Sequence, residues 1–196
     1  MQSDQIILAF DTSAAHCAAA LLRGDEIVTT RVEEMSKGQA ERLMPLLEEI
    51  LSEADLSWKD LTALGVGIGP GNFTGIRISV SAARGLALGL EIPAVGVSGF
   101  EVAALGAEDD QLPAIPAPRD HVYVEAPDQD PALMPRAEAE ALGSLYFTES
   151  AQDMIQSIAR IAAVSWEDTD EAPAPLYVRP ADAAPSRDVP PTLLDA

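Results

Sequence analysis

The residues best suited to chemistry fall in two short stretches. Asp11-Thr12-Ser13 closes an apolar run and sets a carboxylate beside two hydroxyls. A carboxylate suits a hydrated magnesium ion and hydroxyls suit phosphate oxygens; the plainer alternative is an Asx or Ser/Thr turn closing a hairpin. Gly69-Pro70-Gly71 is the second, a turn whose glycines permit positive φ, followed by Asn72 or Thr74 as the cap of a long helix. A helix start presents unpaired N–H groups and about half a positive charge, so phosphate must be considered. The spacing refuses the common phosphate loops. No frame starting from Gly65, Gly67, Gly69 or Gly71 gives G-x-G-x-x-G or G-x-x-x-x-G-K-[ST], which leaves a Rossmann or P-loop assignment unsupported.

Metal and nucleophile chemistry find less material. His16 and His121 are the two histidines, far apart in sequence and without a third ligand, and both read as structural. Cys17 stands alone, which excludes an internal disulfide, agrees with a reducing compartment and suits buried strand filler. Neither a G-x-S-x-G elbow nor a Cys, His and Asn set is evident. The expectation is no catalytic residue, no metal site and no cofactor of the chain's own.

The totals set the frame for these sites. With 196 residues, 47% of them hydrophobic, the chain can bury an ample core. No apolar run approaches the ~18 residues of a membrane span, and the first residues lack a signal-like pattern, so a cytoplasmic protein is expected. The net charge of −20 arises from 32 acidic and 12 basic residues. Polyanion binding needs clustered Lys and Arg, so RNA would have to be held by a partner. Twelve of the fifteen prolines lie at Pro113 or later, and residues 1–100 carry −6 against −14 for the rest, which puts a boundary near residue 100.

Hydrophobic patterning predicts strands Ile6–Phe10, His16–Leu22 and Glu26–Val32 as an antiparallel meander. An amphipathic helix Gln39–Ala54, bent near Pro45, places Leu43, Leu47 and Ile50 on one stripe. Strand Leu61–Ile68, helix Asn72–Leu90, strand Ala94–Val97 and a Ser98-capped helix complete the first half. Further on, Pro113–Ala117 and His121–Ala126 read as strands and Asp128–Pro135 as loop. Ala137–Leu142 and Ala151–Ala163 read as helices, the latter with Ile155, Ile158 and Ala162 inward, and Trp166–Pro175 as an acidic linker. Residues 181–196 read as a mobile tail.

Helix Asn72–Leu90 is small or apolar almost all round. Gly75, Ser79, Ala82 and Ala83 alternate with Ile76 and Leu86, and a helix without a polar face is buried on more than one side. The sheet covers one side, and a second backbone on the other reads as another subunit, against the alternative of enclosure within one domain. Arg77 and Arg84 share a stripe where they can snorkel or meet carboxylates.

Four stretches carry a resemblance. They are Ile7-Leu8-Ala9-Phe10-Asp11-Thr12-Ser13, Ala40-Glu41-Arg42-Leu43-Met44-Pro45-Leu46-Leu47, Gly69-Pro70-Gly71-Asn72-Phe73-Thr74-Gly75-Ile76-Arg77, and Pro175-Leu176-Tyr177-Val178-Arg179-Pro180. Together they resemble the TsaB (YeaZ) family, actin-like paralogues of the transferase TsaD. The resemblance implies an α/β fold of the actin-like ATPase (ASKHA, ribonuclease H-like) type, with a first lobe over residues 1–100 and a reduced second lobe over 101–180. It implies a role in making threonylcarbamoyladenosine beside the anticodon of tRNAs, with TsaD and the ATPase TsaE as partners and tRNA touched only indirectly.

On that reading the chain is a scaffold whose interface holds Leu43, Leu47, Ile50, Phe73, Gly75, Ile76, Ser79, Ala82, Ala83 and Leu86, pairing with TsaD or, alone, with a second copy. Asp11, Thr12 and Ser13 would be a vestigial nucleotide loop beside the glycine turn of Gly69 and Gly71, and ATP or ADP would lodge only at the joint surface with TsaD. The paralogue's histidine pair falls here on Gly99 and Ala103, which cannot bind a metal. The sequence departs from the family at Gln39, where a histidine is common, and at Pro116-Ala117-Pro118-Arg119, where two missing backbone donors predict a strand that is an edge or ends early. Tryptophan at Gly75 or Ala82 is expected to abolish pairing and spare the fold. A small actin-like ATPase or kinase, or an interaction module unrelated to tRNA, are the alternative readings.

Overall fold

The computed structural model describes residues 5–127 and 129–178. Strands β1 (Ile6–Asp11), β2 (His16–Arg23) and β3 (Glu26–Glu34) form the antiparallel meander, and α1 (Gln39–Glu53) follows, continuing through Pro45. Next come β4 (Ala63–Gly67), α2 (Phe73–Leu90), β5 (Ala94–Val97) and α3 (Gly99–Ala104). The first sheet has the order β3-β2-β1-β4-β5, with β1–β4 and β4–β5 parallel. Three antiparallel strands joined to parallel ones, with helices on both faces, are the ribonuclease H-like arrangement of an actin-like α/β fold.

Both faces of this sheet are covered, which is why its inner strands read as unbroken apolar runs. Leu8, Phe10, Cys17, Ala19, Leu21, Leu64 and Val66 point to the layer of α1 and α2. Their neighbours Ile7, Ala9, Ala18, Ala20, Leu22 and Ala63 point the other way. That second face is closed by α5 (Ala151–Ser165), whose Ile155, Ile158, Ala159 and Ala162 are buried against it. Gly65 permits the contact, since a Cβ there would stand 3.0 Å from the Ala162 Cβ. A helix expected in the second lobe thus belongs to the first, because its apolar stripe matches the sheet's uncovered side.

The second lobe lies between α3 and α5. It holds β6 (Gln111–Ala117), β7 (His121–Val124), β8 (Ala132–Pro135), α4 (Arg136–Leu142) and β9 (Ser144–Tyr146), in the sheet order β8-β7-β6-β9. β8 replaces part of the expected loop, formed by pairing Val122 with Met134 and Tyr123 with Leu133. β6 is an inner strand in sheet order, yet β9 pairs only with Gln111–Pro113, so Pro116 removes no rung from that side.

The expected acidic linker is seated rather than free. Trp166–Asp168 forms a 3-10 turn, the Trp166 indole donates to Gln5 Oε1 at 3.1 Å, and Pro173 is buried beside Gly96. Leu176 N donates to Ile68 O at 2.8 Å, which lays the strap of residues 173–178 along the first lobe. The expected tail, 181–196, lies outside the described residues, as do Arg179 and Pro180 of the fourth stretch.

Candidate functional site

Two regions hold the residues singled out by the sequence. The first is a cleft of about 710 Å³ between the lobes, floored by Asp11, Ser13 and His16 at the β1–β2 turn and walled by residues 114–118 of the second lobe. Asp11 is 1% exposed, and its Oδ1 accepts from Ser13 N (2.9 Å), Ser13 Oγ (2.9 Å) and His16 Nε2 (2.7 Å). The Ser13 N bond is an Asx turn. Because an ionised carboxylate only accepts, His16 must carry its hydrogen on Nε2 and turn Nδ1 away from Asp11. Thr12 Oγ1 donates to Gly75 O at 2.7 Å, tying the loop to the first turn of α2. The glycine of β4 makes room for this cluster, since a Cβ on Gly67 would lie 1.9 Å from Asp11 Oδ2.

Both hydroxyls of the expected nucleotide loop and one oxygen of its carboxylate therefore bond within the chain's own structure. His16 and Ser13 occupy Oδ1, one of the two oxygens that magnesium chemistry would use. The helix start is likewise satisfied internally. Asn72 caps α2 by accepting from Gly75 N at 2.9 Å, and Asn72 N donates to Ser13 O at 2.6 Å. Of the two turn glycines, Gly69 has φ +97°, whereas Gly71 is required for close approach: a Cβ there would meet Ser13 O at 2.4 Å. None of the described residues lining the cleft is Lys or Arg. Without a cation among them, the described lining residues are a poor match for the charge of a triphosphate. Gly99 N donates to Gly69 O and Ala103 is fully buried, so α3 offers the cleft no metal-binding side chain. His121 lies on β7, its Nδ1 2.8 Å from Arg119 O.

The second region is the outer surface of α1 and α2, where the structure corrects the expected interface. Leu43, Leu47, Ile50, Gly75, Ile76, Ser79 and Ala83 are buried in the chain's own core and have no area left for a second protein. Gly75 is small because Thr12 O would stand 1.9 Å from its Cβ, and Ser79 because its hydroxyl lies 3.2 Å from both Gly67 O and Ile76 O. Phe73, Ala82 and Leu86 are half-buried and keep a surface, as do Ile78 and, on α1, Met44. The exposed stripe of α2 holds Thr74, Arg77, Ser81, Arg84, Gly85, Leu88 and Gly89. Leu88 is 84% exposed, and a Cβ on Gly85 or Gly89 would meet nothing within 4 Å.

Two arginine clusters fix this surface. Arg42 of α1 makes paired bonds of 2.6–2.7 Å to Glu33 of β3 and Glu49 of its own helix. Those bonds hold both carboxyls below their ordinary range and the guanidinium above its own. On α2, Arg77 stacks 3.9 Å from the Phe73 ring centroid, and its Nε donates to the Tyr177 hydroxyl at 2.9 Å. Arg84 Nη1 reaches Pro173 O at 3.5 Å. Among the described residues, the two α2 arginines meet the strap, not carboxylates. The late stretch Pro175–Val178 and the glycine-turn stretch are thus one site in space. Sequence reasoning missed this pairing, although Phe73, Arg77 and Tyr177 all stood in the quoted motifs.

Comparison with known proteins bears on both regions. A family model described as TsaD, tRNA N6-adenosine threonylcarbamoyltransferase, matches residues 26–170. The tRNA threonylcarbamoyladenosine biosynthesis protein TsaB of Escherichia coli K12 is 42% identical over 101 residues, 52% of this chain and 43% of that protein. Its Bacillus subtilis counterpart is 39% identical over 120 residues, 60% of this chain and 52% of that protein. The chain spans about half the length of these curated relatives. An uncharacterised Mycobacterium tuberculosis protein is 32% identical over 200 residues, covering 91% and 94% of the two chains. Among solved structures, YeaZ from Pseudomonas aeruginosa superposes with a TM-score of 0.69 at 26% identity, over 88% of this chain and 99% of that one. A second Pseudomonas aeruginosa structure, described as similar to the peptidase YeaZ, gives 0.70 at 24%, over 89% and 100%.

Proposed function

Because the chain belongs to the TsaB (YeaZ) family, we propose that it is a non-catalytic subunit in the synthesis of threonylcarbamoyladenosine on tRNA, acting by pairing with a TsaD-type partner. The observation that carries this reading is the outer face of α2. Ser81, Gly85 and Gly89 leave its backbone bare and Leu88 stands 84% in solvent, between half-buried Ile78, Ala82 and Leu86. A helix surface this low lets a partner helix approach at the 8–10 Å of close packing. The partner is structurally related, so the chain alone would pair with its own copy through the same face, and the two assemblies would compete. Its contribution is to hold the partner in an active geometry, while the acidic remainder of the surface keeps tRNA on the partner's side. TsaE would join the assembled pair, and ATP or ADP would sit at the shared surface.

Depletion of the chain in its host, followed by mass spectrometry of nucleosides from digested tRNA, tests the reading. Loss of threonylcarbamoyladenosine is expected; an unchanged level overturns the pathway. Calorimetry of the isolated chain with ATP and magnesium is expected to give no heat. Measurable binding would favour the ATPase or kinase alternative.

A further inference from the structure

We propose that Arg77 is a prepared docking point for a carboxylate of the partner protein, a proposal that rests on the α2 interface described above. Arg77 is exposed on α2, one turn before Ser81 and seven residues before Arg84. Its guanidinium is held before any partner arrives. The Phe73 ring lies beneath it at 3.9 Å, the Tyr177 ring stands 5.9 Å away, and the two rings pack at 4.9 Å between centroids. With Nε committed to the Tyr177 hydroxyl, both Nη groups have no hydrogen bond or ion pair among the described residues.

The contrast with other arginines of the chain identifies what is missing. Arg31 is paired with Glu53, Arg42 with Glu33 and Glu49, and Arg136 with Asp120 while its guanidinium lies 4.9 Å from the Phe147 ring centroid. Arg77 receives rings and a hydroxyl, and no acidic residue occurs between Asp60 and Glu91. A planar fork with two outward N–H edges fits a carboxylate bidentately, and stacking has already removed the side-chain freedom that such a bond would otherwise cost. Arginine beside aromatic rings is also the composition of interface residues that dominate binding. RNA phosphate is the competing anion. It is disfavoured because phosphate-backbone binding draws on several cations, and this face offers Arg77 and Arg84 on a chain of charge −20.

The test uses the full chain and the purified TsaD-type partner, with affinity measured by calorimetry at 50 and 300 mM salt. Arg77→Ala is expected to weaken pairing about 10- to 100-fold with little change in melting temperature. Arg77→Lys is expected to lose at least about 10-fold, because a point charge cannot make the paired bond. Tyr177→Phe, which keeps the rings and frees Nε, is expected to stay within about 3-fold. If Arg77→Ala melts well below the parent chain, Arg77→Lys, whose stem still covers Phe73, carries the same criterion. Unchanged affinity for both arginine variants, with pairing still abolished by Gly85→Trp, overturns this proposal and leaves the interface standing. Unchanged affinity for Gly85→Trp removes the interface and the proposal together. A loss of tRNA retention by the assembled pair without a loss of pairing reassigns the fork to phosphate and overturns the proposal.

Discussion

Tryptophan at Gly85 and tryptophan at Gly75 are expected to do opposite things, although both replace a glycine of the same helix. At Gly85 a Cβ meets nothing within 4 Å, so a side chain enters solvent. Gly85→Ala should stabilise the isolated chain by about 0.5–1 kcal/mol through helix propensity, roughly a 1–4 °C rise in melting temperature for a chain of this size. Gly85→Trp keeps part of that gain while standing an indole between helices that would otherwise pack 8–10 Å apart. Pairing with the partner, followed by calorimetry, should weaken at least about 100-fold, equivalent to about 2.8 kcal/mol. At Gly75 a Cβ would stand 1.9 Å from Thr12 O, and that atom is backbone locked in the Asx turn. Gly75→Ala should therefore cost about 3 kcal/mol or more through overpacking, against a propensity gain of about 1 kcal/mol. Urea titration reads the difference. A Gly85→Trp chain that pairs like the parent, or a Gly75→Ala chain with unchanged stability, would refute the reasoning.

Other outcomes follow from the buried polar groups. His16→Ala leaves the Asp11 carboxylate with two of its three donors, and urea titration should find a loss of about 1–3 kcal/mol; an unchanged midpoint would mean that the pair is not formed. The Glu33 and Glu49 carboxyls are held below their ordinary value of 4.5 by Arg42, so this anchor is fully present at neutral pH. It should weaken as pH falls below that ordinary value and through the depressed range, and Arg42→Ala should flatten the acid limb of melting temperature against pH. Cys17 is fully buried, with its thiol pushed up to about 11, mainly by desolvation. Native protein should resist a thiol reagent at pH 8, and labelling should track unfolding by denaturant.

The helix ends and the meander were legible in the sequence because local groups decide them. Asn72 and Ser98 each cap the helix that they precede through their own side chains, as Ser150 does for α5, a cap not read from the sequence. Which side of α2 faces outward was not legible. Gly75 and Ser79 are small because backbone presses on them, and Gly85 and Gly89 are small with empty space above them, so identical residue types record opposite environments. The short strands β8 and β9 depend on neighbours from elsewhere in the chain, and runs of three or four residues carry no period of their own. The Asp11–His16 bond had a usable signal, an acid and a histidine flanking a tight turn between two strands. Read one at a time, as a metal-binding acid and as a lone histidine, the two residues conceal the pair.

The path of the chain has a consequence for its synthesis. The first lobe opens with β1, but its back face is closed by Ile155 to Ala162, and the clamp on Arg77 waits for Tyr177. A nascent chain halted at residue 150 would present one greasy side of a five-stranded sheet and an unanchored arginine. The first lobe and the Arg77 clamp are thus completed only by late segments, so a product truncated before residue 151 is expected to be captured by chaperones or proteases before it can poison an assembly.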